Sequence, residues 1–457
     1  MINRKITKRL ERFYEDGGRY ALLIDGARQV GKTFIVEEFA KTHYENFIEI
    51  NFLRNESAKR IFQDNEDEKD VLVKLSAFSQ RELRRGKTLV FFDEIQECPD
   101  AVTYIKFLVQ DGTCHYILSG SLLGVELKNV RSVPVGFMDE VRMFPLDFEE
   151  FVLANGELPA LIEKAREAWL GRRPLDRLYH ERLAKLFRLY LVVGGMPAAV
   201  QRFLETHDIA AVIAEQRQIL VEYRTDITKY DEENSLRIRE VFERLAPELN
   251  KKNKRFYVNS IKEGERAERL EDEFVWLKEA GVALPSYVVD EPQVPLMLSK
   301  KSNLFKLFMN DVGLLSAMYM DGIQLRILNG ETDINFGSVY ENAVAQEFAA
   351  HGFPLYYYVS REHGEVDFVV ERMGNVLPVE VKSGKHYQRH RALNRLMSVP
   401  DYAIPEALVL DDAAFKVETP VYYAPVYMAM FLEHETLPER MPYEIGEPIL
   451  GVNVEAD

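Results

Sequence analysis

The chain has 457 residues, more than one hydrophobic core usually serves, so we expect about three or four domains. Its 47% apolar and 29% charged residues are typical of folded globular proteins, and its net charge of −16 argues against a protein that coats nucleic acid or anionic membrane non-specifically. The two cysteines, Cys98 and Cys114, lie in no metal-ligand spacing and suit a reducing cytosol. The N-terminus lacks an apolar signal core, and no apolar run reaches the roughly 18 residues that span a bilayer, so we expect a cytoplasmic protein without a membrane partner.

The first predicted elements are an amphipathic helix over residues 2–20 and a buried strand over residues 22–24. The strand runs into a glycine-rich turn that ends in Lys-Thr and opens a second helix. Such a turn lets backbone N–H groups point inward and, with the helix N-terminus, forms an anion site. The pattern predicts an ATP-binding loop in which Lys32 reaches the β- and γ-phosphates and Thr33 ligates Mg²⁺; the alternative is a chance glycine turn before a helix. The loop residues are Gly26, Ala27, Arg28, Gln29, Val30, Gly31, Lys32 and Thr33.

A second apolar strand, Leu89–Phe92, ends in the acids Asp93 and Glu94. Ligands of parallel α/β sheets bind at the carboxyl ends of the strands. We expect Asp93 to hold the Mg²⁺ shell, and Glu94, which points to the other side of the strand, to polarise the attacking water. Taken alone, an Asp-Glu pair after a strand is more typical of a solvated turn. With the glycine-rich loop in the same domain, the pair predicts ATP hydrolysis.

Further strands are predicted at residues 45–52 and immediately before Ser119. Ser119 or Ser121 is a candidate to sense the γ-phosphate or to orient the water, although a simple turn explains both residues equally well. Arg131 and Arg142 follow, and either could stabilise the transition-state charge in cis or across a subunit interface of an oligomer. A surface arginine is the commoner explanation for each.

The middle of the chain contains two segments with different predicted secondary structure. Residues 146–228 have a helical pattern and predict a lid on the nucleotide domain. Residues 229–325 contain helices, a basic loop at 251–255 and two extended runs, the order of a winged-helix domain. Because the presumed recognition helix at 267–280 is rich in acids, contact with a protein is at least as consistent with it as contact with DNA.

The C-terminal segment carries a second group of charged residues. Glu380 and Lys382 are two positions apart on a predicted strand and share a face, and a hairpin turned at Gly374 can bring Asp367 beside Glu380. With Glu341 from the preceding helix, these residues could hold a divalent metal for phosphodiester hydrolysis, with Lys382 acting on the water. An exposed, salt-bridged strand face is the competing explanation.

These motifs resemble a widespread bacterial and archaeal group of AAA-type P-loop ATPases with a C-terminal domain related to the restriction-endonuclease-like fold. The resemblance covers nearly the whole chain and also rests on Pro145–Phe151 and on Gly194–Pro197. It implies a multidomain α/β protein. The implied parts are a P-loop NTPase parallel sheet (1–145), a helical lid (146–228), a winged-helix-like middle domain (229–325) and an α/β restriction-endonuclease-like domain (330–457).

Two hypotheses of function follow. In the first, an ATP-binding and ATP-hydrolysing protein couples its nucleotide state to a nuclease-like domain that acts on DNA or binds it. In the second, a regulatory ATPase uses its last two domains only to bind a protein partner. Both require ATP and Mg²⁺, and the first adds a second divalent metal at the C-terminal site.

Overall fold

A computed structural model describes residues 2–63, 68–120, 136–230, 232–251, 271–331, 337–383 and 390–434. In this part of the chain the strands form two sheets. The first has the order β2-β3-β4-β1-β5 with parallel pairing throughout, and the second is mixed, with the order β12-β13-β11-β10-β9-β8-β6-β7. The strands are β1 (Ala21–Asp25), β2 (Asn46–Asn51), β3 (Thr88–Asp93), β4 (His115–Gly120), β5 (Met138–Arg142), β6 (Ala283–Val289), β7 (Lys300–Met309), β8 (Tyr356–Ser360), β9 (Gly364–Arg372), β10 (Asn375–Val381), β11 (Ala407–Asp411), β12 (Lys416–Glu418) and β13 (Val421–Pro425).

The helices surround the first sheet and join it to the second. They are α1 (Thr7–Glu15), α2 (Lys32–His43), α3 (Glu68–Ser79), α4 (Pro99–Asp111), α5 (Phe148–Ala154), α6 (Pro159–Leu170), α7 (Arg177–Val193), α8 (Pro197–Thr206), α9 (Ile209–Tyr230), α10 (Glu232–Leu249), α11 (Glu271–Glu279), α12 (Val312–Met318), α13 (Ile323–Leu328), α14 (Gly337–Ala350) and α15 (Arg391–Met397). In the described residues no single helix is long and apolar enough to cross a membrane, although α7 and α8, bent by 118°, meet the length and composition criteria as a pair.

The three central strands of the first sheet, β3, β4 and β1, are buried on both faces, as parallel strands covered by helices usually are, whereas the edge strands β2 and β5 are partly exposed. Leu22 and Ile24 of β1 belong to one apolar cluster, while Leu23 between them belongs to another on the opposite face. This alternation is the two-residue period of a strand. The first cluster continues through the helices to residues of the second sheet such as Phe368, so a continuous core joins the two sheets.

The two family motifs of the middle region pack against each other. Leu146 and Gly195 are joined by a backbone hydrogen bond of 2.7 Å, and a Cβ atom on Gly195 would collide with the carbonyl oxygen of Leu146. Asp147 caps α5, since its carboxylate accepts from the backbone N–H of Glu150 at 2.8 Å. The buried Asp311 accepts from the backbone N–H of Gly195 at 2.6 Å. The glycine therefore permits a close backbone approach that any side chain would prevent.

The second sheet differs from the sequence expectation in one respect. The two extended runs predicted as a wing are β6 and β7, which pair antiparallel as expected. However, β6 also pairs in parallel with β8, with Tyr287 opposite Tyr356, so the hairpin is the edge of the C-terminal sheet. A hairpin leaves the outer edge of each strand unpaired, and here the outer edge of β6 pairs with a strand that begins 67 residues after β6 ends. Residues 252–270, which include most of the predicted basic loop and the start of the predicted recognition helix, lie outside the described residues.

Candidate functional site

The glycine-rich loop lies between the end of β1 and the start of α2, at the carboxyl edge of the first sheet. Gly31 adopts a left-handed φ of +95° at the N-terminus of α2, a conformation that favours glycine. Gly26 has a φ of +148°, and a Cβ atom there would collide with the carbonyl oxygen of Met143. Both glycines are thus required by the local backbone, and the strand, loop and helix have the order of an anion-binding loop.

The ammonium group of Lys32 is buried inside this loop. It donates to the carbonyl oxygens of Gly26 at 2.6 Å and of Ala27 at 2.9 Å. Burial lowers the pKa of Lys32 to about 8, although the nearby carboxylates of Glu94 and Asp25 act in the opposite direction. The loop therefore holds a buried cation whose partners are backbone carbonyls, and phosphate oxygens would compensate its charge better than these carbonyls do.

Asp93 is the centre of a hydrogen-bond network at the tips of three neighbouring strands. Its Oδ2 accepts from the hydroxyl of Thr33 at 3.1 Å and from the side-chain amide of Asn51 at 2.8 Å. Its Oδ1 accepts from the hydroxyl of Ser119. The structure thus brings together the predicted residues Thr33, Asp93 and Ser119. The sequence analysis missed Asn51, although a polar residue at the end of a buried strand is the same signal that identified Ser119.

Glu94 lies beside this network in a left-handed conformation with a φ of +54°. Its carboxylate accepts from the side-chain amide of Gln96 at 2.6 Å. A non-glycine residue held at positive φ is uncommon and is found at functional sites because the strain must be compensated by surrounding contacts. The backbone turn at Glu94 separates its side chain from the strand that carries Asp93.

Helix α9 contacts the glycine-rich loop from the side. Arg28 of the loop forms an ion pair of 2.8 Å with Asp226, and the side-chain amide of Gln29 donates to Glu222. The hydroxyl of the buried Tyr223 donates to the carbonyl oxygen of Arg28 at 3.4 Å. We call these three contacts the α9 clasp. Two carboxylates therefore lie next to a loop whose geometry suits anions.

The helix α11 also reaches this loop. A Cβ atom on Gly281, which follows the helix, would lie 2.8 Å from the backbone nitrogen of Ala27. Gly281 has a φ of +70°. The backbone after α11 is therefore in van der Waals contact with the loop, which only a glycine permits at that distance.

A cavity of about 470 Å³ borders the loop at the N-terminus of α2. The segment before α1, the loop, α2 and the start of α8 all contribute to its walls. Its lining is Ile2, Arg4, Gly31, Phe34, Ile35, Met143, Leu146, Pro197, Ala198 and Gln201. A mostly apolar cavity of this size adjoining an anion-binding loop suits an aromatic base attached to phosphates.

The predicted C-terminal residues also come together. Asp367 on β9 accepts from the backbone N–H of Val381 at 3.0 Å, and Lys382 donates to Glu380. Burial and the neighbouring Asp367 raise the pKa of Glu380 to about 8. The antiparallel pairing of β9 and β10 therefore places the three residues in one cluster, as the hairpin spacing indicated.

The sequence analysis missed the residue at the centre of this cluster, Lys306 on β7. Its buried Nζ lies 2.8 Å from Glu365, 3.8 Å from Asp367 and 3.9 Å from Glu341. Burial alone would lower the pKa of Lys306, but Glu341 and the other two carboxylates raise it. In the described residues, no group of three or more acidic, histidine or cysteine side chains is arranged to hold a metal ion. An ammonium group therefore lies where the sequence predicted a metal.

Of the three other predicted residues of the ATP site, the structure describes Arg142. Ser121 and Arg131 lie outside the described residues. Arg142 ends β5, with its Nε 3.6 Å from the carboxylate of Asp25, and it donates to the carbonyl oxygen of Lys278 at 2.6 Å. Burial raises the pKa of Asp25, and Arg142 opposes this shift. Arg142 thus contacts both the residue that precedes the loop, Asp25, and the last turn of α11.

Comparison with known structures gives low similarity. The Orc1 protein of Aeropyrum pernix in complex with DNA is 14% identical, with 71% of this chain and 95% of that chain covered and a TM-score of 0.27. Cdc6p from Pyrobaculum aerophilum is 11% identical, with 72% and 96% covered and a TM-score of 0.24. PCH-2 of C. elegans is 12% identical, with 46% and 67% covered and a TM-score of 0.29. Scores this low do not define a shared overall fold.

Comparison with protein families is more informative for the N-terminal part. No curated protein matches the chain. Two domains of unknown function match residues 184–326 (DUF8612) and residues 336–424 (DUF4143). They give no support to the restriction-endonuclease-like fold, which stays a prediction. An AAA domain matches residues 18–152, the part that contains the first sheet, the glycine-rich loop and Asp93. The chain therefore carries an AAA-type P-loop ATPase domain at residues 18–152.

Proposed function

We propose that this protein is an ATP-hydrolysing switch whose nucleotide state is coupled to its C-terminal α/β part, which acts on DNA or binds it. The AAA-type domain accounts for the ATP chemistry. The coupling is supported by the contacts that helix α9 makes on the phosphate side of that domain. A cytoplasmic location and assembly into an oligomer are part of the same proposal.

In the proposed reaction, the loop from Gly26 to Thr33 binds the phosphates through its backbone amides, and Lys32 neutralises the charge on the β- and γ-phosphates. Glu94 accepts a hydrogen bond from the attacking water and orients it toward the γ-phosphate. Ser119, which already donates to Asp93, holds that carboxylate in position. The apolar cavity beside Gly31 receives the base.

The donor set fits a magnesium ion that arrives with the nucleotide. The Thr33 hydroxyl and the Asp93 carboxylate are adjacent hard oxygen donors, 3.1 Å apart. Mg²⁺ is usually held by one or two such groups together with phosphate oxygens and water, so further carboxylates are not needed. When bound, the ion neutralises charge on the phosphates. Asp93 and Thr33 would be its protein ligands.

The observation that carries the coupling is the position of Tyr223 on α9. Its hydroxyl donates to the carbonyl oxygen of Arg28 in the loop and accepts from the side-chain amide of Asn310 at 3.3 Å. Asn310 directly follows β7, the strand that carries Lys306. One buried hydroxyl thus bridges the phosphate-binding loop and the second sheet.

A second contact extends this bridge toward the C-terminal cluster. Asn342 of α14 accepts from the backbone N–H of Met309 at 2.7 Å and donates to its carbonyl oxygen at 3.0 Å. Asn342 is the neighbour of Glu341, which faces Lys306. A shift of the loop on phosphate binding therefore has a path of direct contacts to the charged cluster.

The test compares hydrogen exchange of the full chain with and without a non-hydrolysable ATP analogue. We expect the analogue to change exchange in β7 and α14 of the wild type. The variant Tyr223→Phe should still bind the analogue but lose this distant change, because the bridging hydroxyl is gone. Tyr44→Phe is the matched control, since it removes a hydroxyl that contacts His115 at 2.8 Å within the ATPase domain. Equal distant changes in wild type and Tyr223→Phe would refute the proposed route.

A nuclease is the second candidate function, and the charge balance of the C-terminal cluster favours it. Glu341, Glu365, Asp367 and Glu380 supply four carboxylates, whereas Lys306 and Lys382 supply two ammonium groups. Because the pKa of Glu380 is raised to about 8, the ligand-free cluster has an excess of about one negative charge at neutral pH. A divalent cation would favour the loss of the proton from Glu380 and would then balance an excess of two negative charges. Asp367 and Glu380 would hold the ion, whose chemistry would be to activate a water molecule, and Lys382 would stabilise the departing charge. Metal binding requires Lys306 to leave these carboxylates, so calorimetric titration of the full chain with Mn²⁺ tests it directly.

A further inference from the structure

A second cavity, of about 450 Å³, lies between the two sheets. The end of β5 in the ATPase domain forms one wall with Arg142 and Phe144, and the end of α11 contributes Lys278. The hairpin of β6 and β7 contributes Tyr287 and Lys300. The end of α14, the start of β8 and the loop between them close the remaining side. We call this space the inter-sheet cavity.

The charged residues that line the inter-sheet cavity are all basic. Arg142, Lys278 and Lys300 line it, and no carboxylate is found among the lining residues that the structure describes. This is notable in a chain whose net charge is −16, because cations are the minority there. Burial and the positive charge of Lys278 lower the pKa of Lys300. Both lysines line the same space, an arrangement that suits an anionic ligand. Lys278 also forms an ion pair of 3.2 Å with the neighbouring Glu279, so an anion in the cavity would compete with that carboxylate.

The other lining residues give the cavity an aromatic and apolar surface. Phe144, Phe353 and Tyr356 lie on its walls, and the ammonium of Lys300 sits 3.8 Å from the ring centre of Tyr287. Aromatic walls next to cations are how proteins hold a base and its phosphate without reading sequence. A small inorganic anion would leave this aromatic surface unused, so the ligand should carry an aromatic group as well as a negative charge.

We propose that the inter-sheet cavity binds a nucleotide unit, with its phosphate against Lys278, Lys300 and Arg142 and its base against the aromatic wall. The unit can come from a free nucleotide or from a single-stranded nucleic acid. The proposal deepens the DNA-directed part of the proposed function and rests on it. It does not require ATP hydrolysis or cleavage of the bound strand.

The position of Arg142 connects this cavity to the ATP site. Asp25 and Arg142 are opposite each other in the pairing of β1 and β5, and Asp25 immediately precedes the phosphate-binding loop. A phosphate in the inter-sheet cavity would compete with Asp25 for the guanidinium group of Arg142. Occupancy of the cavity should therefore alter ATP affinity, and ATP should alter occupancy by the same factor.

The test measures fluorescence anisotropy of a labelled oligothymidylate of about ten nucleotides with the full chain in the Lys32→Ala background, so that the ATP site does not contribute. Thymidine monophosphate serves as an unlabelled competitor. The variants Lys278→Gln and Lys300→Gln remove charges from a partly exposed and an exposed residue, so we expect the fold to be preserved. The matched control is Lys301→Gln, whose exposed side chain pairs with Asp290 and does not line the cavity.

We expect each cavity variant to weaken binding by about tenfold, the usual effect of losing a hydrogen bond to a charged group, while Lys301→Gln stays near the parent value. Competition by thymidine monophosphate at similar concentration would identify a free nucleotide as the source, and competition only by oligonucleotide would identify a strand. The proposal is overturned if neither ligand binds, or if Lys301→Gln weakens binding as much as Lys300→Gln does. If ATP-dependent exchange at β7 and α14 persists while oligonucleotide does not bind, the inter-sheet site fails and the nucleotide coupling stands.

Discussion

The α9 clasp predicts that a single neutral substitution tightens ATP binding. Asp226→Asn keeps the shape of the side chain but removes the charge that pairs with Arg28 at 2.8 Å. In the wild type, phosphates that enter the loop would lie near the carboxylates of Asp226 and Glu222, which contact Arg28 and Gln29 of the loop. Burial raises the pKa of Asp226 and Arg28 opposes this shift, so a charged Asp226 depends on its partner. The variant removes one of the two nearby negative charges and leaves Arg28 available to a phosphate.

The size of the effect follows from the exposure of the pair. A hydrogen bond to a charged group contributes about 1.5–3 kcal/mol when well shielded, and exposed ion pairs contribute less than about 1 kcal/mol. Asp226 is 11% exposed and Arg28 is 30% exposed, so an intermediate value of about 1 kcal/mol is reasonable. If this contact opposes phosphate binding, its loss lowers the dissociation constant for ATP about fivefold. The ligand-free variant should be less stable to unfolding by a similar amount, because it has lost the same contact.

The assay is calorimetric titration with a non-hydrolysable ATP analogue, together with urea unfolding of the ligand-free protein. Glu215→Gln is the control, because Glu215 lies on the same helix and pairs with the exposed Arg202 away from the loop. We expect Glu215→Gln to leave the dissociation constant unchanged. Weaker or unaltered binding by Asp226→Asn would show that the clasp supports the phosphate-binding loop instead of opposing its ligand.

Three further predictions concern single groups. The cationic form of Lys32 binds phosphate, and its pKa is about 8 in the ligand-free protein, so ATP affinity should fall as the pH rises above 8. Titrations with ATP between pH 7 and pH 9 should show no such fall for Lys32→Arg, because the charge of arginine is permanent. Glu94→Gln should retain ATP through gel filtration but hydrolyse ATP at least about a hundredfold more slowly, whereas Asp93→Ala should lose the nucleotide. Normal turnover by Glu94→Gln would exclude Glu94 as the water-polarising group. If the C-terminal cluster binds Mn²⁺, calorimetry should show binding by the wild type and Lys382→Ala but none by Asp367→Ala, and the absence of binding by the wild type would remove the nuclease hypothesis.

The arrangement of the proposed ATP site could be predicted from the sequence because its parts are local. The strand, the loop and the first turn of α2 are contiguous, so the pattern from Gly26 to Thr33 contains its own structural context. The acids after β3 were found because parallel strands present their carboxyl ends at one edge. Ser119 and Asn51 obey the same rule. The register of β2 sets Asn51 opposite Asp93, and the register of β4 sets Leu118 opposite Phe92, so both polar residues lie beside Asp93.

The C-terminal cluster was only partly accessible because its central residue comes from a distant strand. Asp367 and Glu380 are joined by a short hairpin, so their proximity follows from spacing. Lys306 lies on β7, which is separated from β9 in the sheet by β6 and β8, and no local pattern marks a lysine between Phe305 and Leu307 as buried. Strand order of this kind depends on long-range pairing, which one sequence does not specify.

Helix α9 has further buried contacts, besides those of Tyr223, that support the proposed coupling. On its other side the helix holds α7, because the side-chain amide of Gln216 donates to the carbonyl oxygens of Val192 and Val193 at 2.8 and 2.9 Å. The same amide nitrogen would lie 2.6 Å from a Cβ atom on Gly313, at the start of α12. Because buried contacts this close leave little space for independent movement, α9 should move together with α7 and α12 when the clasp opens. A nucleotide that disturbs Arg28 would therefore act on a packed unit of helices, and this unit ends next to the strand that carries Lys306.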